Sequence, residues 1–168
     1  MSSSDLLLDA FDRIRETVAA AVDGLGEEEL AYRADGSANS IAWLVWHLTR
    51  IQDDHLAEVA GHEQTWTADG WAERFALPLD PSDTGYGHTP AQVTSVVATA
   101  GQLTGYHDAV HARTAAFVAD LDGEALARVV DTRWDPPVTL AVRLISVVSD
   151  DLQHAGQAAL VRGVLPRR

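Results

Sequence analysis

Asp150 and His154 stand at positions i and i+4 of a largely apolar stretch, and the chemistry of this chain is sought first at that spacing. Two donors one helical turn apart point the same way and can grip one metal ion from a rigid element. A third donor from a neighbouring helix would complete a facial set and leave positions open for water or substrate. His47 is the best third donor, because it sits in the middle of a stripe in which Trp43, Ile51 and Asp54 each fall within about 40° of it at roughly 3.6 residues per turn. Arg143, Asp150, His154 and Gln157 share a stripe by the same arithmetic. The competing description of Asp150 and His154 is a surface ion pair. Against it stand the apolar neighbours Leu144-Ile145, Val147-Val148 and Ala158-Ala159. His107 and His111 form a second i, i+4 pair and match metal spacing even better by ligand type. Its other description is a core His107, satisfied by a hydrogen bond, beside a partly exposed His111. His107 alone is also a candidate to line the same cavity. His55, His62 and His88 read as exposed helix-end or loop residues, with His88 able to reach a site mouth.

The elements that must position these side chains are helical. Leu7, Phe11, Ile14, Val18, Ala21 and Leu25 alternate spacings of four and three, a bundle seam over 5–25 that Ser4 can cap. A second helix runs over 40–59 and stops at Ala60-Gly61. Residues 62–88 mix turn signals with Trp66 and Trp71 and hold no sustained period, so they form a long connection of the kind that usually carries function. Thr89-Pro90-Ala91-Gln92 is a capping box with Pro at the first helical position. The third helix is expected to run unbroken from there through Val93, Val96, Ala100, Leu103, His107, Val110, Thr114, Phe117 and Leu121. Residues 125–130 add a helical turn, Trp134-Asp135-Pro136-Pro137 cannot be helix interior, and Thr139 caps a last helix to about residue 163. Four long amphipathic helices without an alternating strand pattern predict an all-α four-helix bundle. The long connection lets the second and third helices run parallel, with a crossover between them.

Composition narrows the chemistry. A chain of 168 residues, 46% hydrophobic and 22% charged, fits a single domain over 1–168. Cys is absent, which removes disulfides, Cys-type zinc sites and an intrinsic thiol nucleophile, and leaves seven His to follow. The formal net charge of −13 repels a phosphate backbone, so nucleic acid is not an expected partner. No apolar run is long enough to span a bilayer, and Met1-Ser2-Ser3-Ser4-Asp5 lacks the basic start of a signal peptide. A cytoplasmic protein with no membrane partner is the expectation. Gly-rich phosphate loops, nucleophile elbows and metalloprotease motifs do not occur.

The run Asn39-Ser40-Ile41-Ala42-Trp43-Leu44-Val45-Trp46-His47-Leu48, with Asp150-Asp151-Leu152-Gln153-His154-Ala155-Gly156-Gln157 far downstream, resembles the DinB-like superfamily. It is most similar to the branch of mycothiol- and bacillithiol-dependent S-transferases and the N-terminal domain of mycothiol-dependent maleylpyruvate isomerase. The resemblance covers essentially the whole chain. It implies an up-down-down-up bundle with a long crossover loop between helices two and three, and a divalent metal, zinc or nickel, held by His47, Asp150 and His154. Many relatives carry His where this chain has Asp150; a carboxylate there tolerates harder ions than imidazole does.

The implied reaction is transfer of a low-molecular-weight, mycothiol-type thiol to an electrophile, as in detoxification. Arg50 and Arg143 are candidates to position a substrate anion, and Asp54 to orient a ligand ring or accept a proton. Gln157 could donate to substrate beside His154, with Trp43, Trp66 and Trp71 walling the pocket and residues 62–88 setting substrate scope. The alternatives are a metal-dependent hydrolase, and a non-catalytic metal-binding stress protein whose exposed bundle face forms a homodimer.

Overall fold

The computed structural model describes residues 2–165. Met1 and residues 166–168, where the leader and single-domain expectations reach the chain ends, lie outside the described residues. In chain order the elements are α1 (Ser3–Val22), α2 (Glu27–Leu30), α3 (Ile41–Ala60), α4 (Thr65–Ala68), α5 (Trp71–Phe75), α6 (Pro90–Ser95), α7 (Ala100–Ala119), α8 (Gly123–Ala127), β1 (Val129–Asp131), β2 (Val138–Thr139) and α9 (Leu140–Gly163). Among the described residues no helix is long and apolar enough to cross a membrane.

The long helices α1, α3, α7 and α9 begin where their side chains satisfy free backbone N–H groups. Ser40 accepts from the Trp43 N–H, Thr139 from that of Val142, and α3 ends on Gly61 in the left-handed region. Ser2, not Ser4, caps α1, in a box with Asp5. Ser4 is buried instead, and its hydroxyl donates to the Leu121 carbonyl, tying the start of α1 to the chain beyond α7.

The unbroken third helix is not what forms. The chain stops at Ser95, passes through an extended Val96, and restarts with a second capping box, Thr99 with Gln102. That box supplies two free N–H groups with partners, so a restart there costs little, and Val96 and Ala98 still bury their side chains. The strands were also not expected. Val129–Asp131 pairs antiparallel with Val138–Thr139, taking residues from the expected helical turn over 125–130. Strands of three and two residues are too short to carry an alternation signal.

Named contacts set the helix directions. Asp12 meets His111 and Arg15 meets Asp108, so α1 and α7 are antiparallel. Thr49 meets His107 and Gln52 meets Thr114, so α3 and α7 run the same way. His55 meets Arg143, while His47 lies beside His154, so α3 and α9 are antiparallel. Residues 61–99 therefore travel along the bundle between α3 and α7. The shared core includes Phe11, Ile14, Leu44, Leu48, Leu103, Tyr106, Leu140 and Leu144, all at most 1% exposed. Each such side chain contributes about 1.5–3 kcal/mol by leaving water.

A buried polar knot holds the crossover against α3. Arg50, with no exposure, donates to the Asp83 and Pro81 carbonyls, Gln64 Oε1 and the Tyr106 hydroxyl. Asp53 accepts from the Thr65 and Trp66 N–H groups at the start of α4 and from the Tyr106 hydroxyl.

His107 belongs to the core between α3 and α7. The Thr49 hydroxyl donates to the Val45 carbonyl, so its oxygen accepts from His107 Nδ1–H at 3.0 Å. Burial holds the His107 pKa down from 6.5 to about 3, and between those values only the unfolded chain takes up the proton. Stability therefore falls on acidification through that window. The melting temperature should fall from about pH 7 to about pH 4, and less steeply in His107→Gln. Parallel curves for the two proteins would contradict this assignment.

Candidate metal centre

His47 on α3 and Asp150 and His154 on α9 each offer a ligand atom, and these atoms lie within 4.8 Å of one another. It is the one such group of three among the described residues. The His47 and His154 rings sit 4.9 Å apart, and His154 Nε2 is 3.6 Å from Asp150 Oδ1. His47 is 6% exposed, whereas the side chains of His154 and Asp150 are 18% and 37% exposed, so the centre opens on the α9 side.

Partners on the outer ring nitrogens decide which nitrogen faces inward. A carbonyl can only accept, so His47 Nδ1–H donates to Thr84 O and leaves Nε2 with a lone pair. His154 Nδ1 bonds Gln157 Oε1 at 2.9 Å and leaves its Nε2 likewise. Burial pushes the His47 pKa below its ordinary value, against the Thr84 bond, which keeps the ring neutral. Asp150 Oδ2 is buried with no hydrogen-bond partner among the described residues. Two inward imidazole lone pairs and an acceptor-only carboxylate repel one another unless a positive centre lies between them. The donor set therefore fits a divalent cation of the zinc type.

The crossover supplies the support for His47. Gly85, at φ 93°, comes so close that an added Cβ would lie 2.8 Å from His47 Nδ1, 3.0 Å from Trp46 and 3.2 Å from Trp43. Trp43 stacks on the His47 ring at 4.5 Å and 16°. Trp43 Nε1–H donates to His88 Nδ1 at 3.0 Å, and His88 Nε2–H donates to the Asp83 carboxylate. The His88 side chain is only 3% exposed, which corrects its reading as an exposed loop residue. Thr84 acts through a backbone carbonyl and left no trace in side-chain patterns. Glycines at 85 and 87 around Tyr86, both with positive φ, were the available signal for a close loop.

The other residues singled out by spacing divide between a pocket and the core. A pocket of about 830 Å³ is lined by Asp54, His55, Glu58, Gln64, Asp80 and Arg143, among others. Asp54 lies two turns along α3 from His47 and accepts from Gln64 Nε2, while Thr84 and Gln157 hold the ligand rings. Arg143 lines the pocket but is engaged by Asp131, Glu58 and His55. Arg50 is spent in the buried knot and has no surface to offer an anion. Trp43 backs the His47 ring. Trp66 packs with Trp46, Phe75 and Tyr106, and Trp71 with Phe75 and Tyr106. His107 and His111 do not converge, since His107 faces Thr49 and His111 pairs with Asp12.

A family model described as mycothiol-S-transferase matches residues 6–166. No curated protein matches the chain. Among solved structures, the crystal structure of a conserved locus protein from Enterococcus faecalis is similar to it at 31% identity, with a TM-score of 0.90 over 96% of each chain.

The two loop glycines separate close approach from backbone strain. An added Cβ at Gly87 meets nothing within 4 Å, so Gly87→Ala should cost only the left-handed backbone term, about 1–2 kcal/mol. Gly85→Ala should cost more, because three packed rings must move as well. Urea unfolding of both variants measures the difference, and equal costs would refute the close packing of Gly85 on His47.

Proposed function

The chain belongs to the mycothiol-S-transferase family, and from that premise we propose that it joins a low-molecular-weight thiol of the mycothiol type to a small electrophile at the His47, Asp150 and His154 centre. The observation that carries this reading is the convergence of two imidazoles and a carboxylate within 4.8 Å, at a centre half-open on the α9 side. The chain has no Cys, so the reacting sulfur arrives with a cosubstrate. His47, Asp150 and His154 would hold the cation, with zinc the first fit to this donor set and nickel the second. When bound, the cation supplies a Lewis acid that draws a thiol pKa down from about 8.5 toward neutrality.

The protein's own groups do the rest. Thr84 and Gln157 keep both rings turned with Nε2 inward, so no reorientation is needed when substrates arrive. The pocket that Asp54, Glu58, Gln64 and Arg143 line receives the body of the thiol or the electrophile. In the transfer the sulfur–carbon bond forms as the bond from carbon to its leaving group breaks. The thiol proton passes to pocket solvent, for which Asp54 is an available acceptor. Arg143, already neutralised by Asp131 and Glu58, shapes the pocket wall.

Purified protein should carry about one equivalent of divalent metal, lost in His47→Ala and His154→Ala and kept in His107→Ala. Incubation with a mycothiol-type thiol and a haloarene or bimane should give a conjugate, and chelation should abolish it. Retention of metal by both ligand variants would overturn the ligand set. A rate equal to background across several thiols would overturn thiol transfer.

A further inference from the structure

We propose that His88 is a positioning residue of the metal centre, orienting His47 through two routes although it touches none of the three ligands. This rests on the reading that His47, Asp150 and His154 hold a cation. The first route is Trp43. Its indole nitrogen can only donate, so His88 Nδ1 accepts from it at 3.0 Å, and the anchored indole lies flat on the His47 ring at 4.5 Å.

The second route is the loop. His88 Nε2–H donates to both oxygens of Asp83, at 3.0 and 2.9 Å. The same carboxylate accepts the Gly85 N–H at 2.7 Å, and the Asp83 carbonyl accepts from Arg50 Nε at 3.2 Å. Thr84 is therefore held from both sides. Its carbonyl, the acceptor for His47 Nδ1–H, has no freedom to turn away.

Stacking fixes the plane of the His47 ring and the Thr84 bond fixes its rotation, and a single imidazole ties down both. His88 is itself clamped, stacked on Trp46 at 5.9 Å and 20°. A side chain present only to fill space would need neither nitrogen. Here each nitrogen has a partner that can take only one role, so one neutral tautomer satisfies the whole chain from Trp43 to Asp83.

The test is Zn²⁺ affinity, measured by chelator competition on folded protein. His88→Phe keeps the ring and its contact with Trp46 but removes both hydrogen bonds; it should bind Zn²⁺ about 10- to 100-fold more weakly. His88→Gln retains one acceptor and one donor and should recover much of that loss. Thr114→Val, which removes a buried hydrogen bond to Gln52 elsewhere in the bundle, should leave affinity unchanged and so control for lost stability. The Trp43 indole N–H resonance, identified by its absence in Trp43→Phe, should shift in His88→Phe. If wild type binds and folded His88→Phe binds within about twofold of it, well short of the range for such outer partners, the positioning role is overturned. If wild type itself binds no Zn²⁺, the metal centre and this inference fall together.

Discussion

The buried pairing of Arg50 with the crossover backbone is the constraint from which the centre follows. A guanidinium with no exposure must have its donors satisfied, and it finds the Pro81 and Asp83 carbonyls, Gln64 and Tyr106. Asp53, one turn on and 3.8 Å away, takes the backbone N–H groups that open α4. These bonds fix a connection that has little regular structure of its own. Because residue 83 is fixed, the Thr84 carbonyl meets His47; because Thr84 meets His47, the imidazole turns its other nitrogen toward Asp150 and His154.

The centre thus divides its work between two kinds of support. Helices α3 and α9 set where the ligand atoms are, since antiparallel packing brings His47 beside a pair spaced one turn apart. The crossover, together with Gln157, sets how the rings are turned. The side left half-open by Asp150 and His154 is free for ligands, and pocket residues come from the same two helices and the same crossover.

Much of this was legible in the residue pattern, for physical reasons. The cap at Thr139 and the stop at Gly61 are local signals, and each lies where the pattern put it, while Ser40, read as the first residue of the second helix, is its cap. The convergence of Asp150 with His154 needs only helix geometry. Its meeting with His47 was inferred from the stripe on the second helix and then from resemblance. What escaped was tertiary or carried by the backbone. Arg50 looked like an anion binder because its spacing placed it near His47, yet the crossover covers it completely. His107 sits on an apolar seam and is core, since Thr49 offers its nitrogen a partner. Asp54 was assigned to ring orientation, a task that a carbonyl performs without any side-chain signature. The break after Ser95 was legible in Thr99 and Gln102, but the longer apolar period across it masked the second capping box.

X-ray absorption at the zinc edge, on the zinc-loaded protein, tests the central claim most directly. The account predicts a shell of nitrogen and oxygen donors with the multiple-scattering signature of two imidazoles. A shell with no imidazole, or one in which three imidazoles take part, would contradict it.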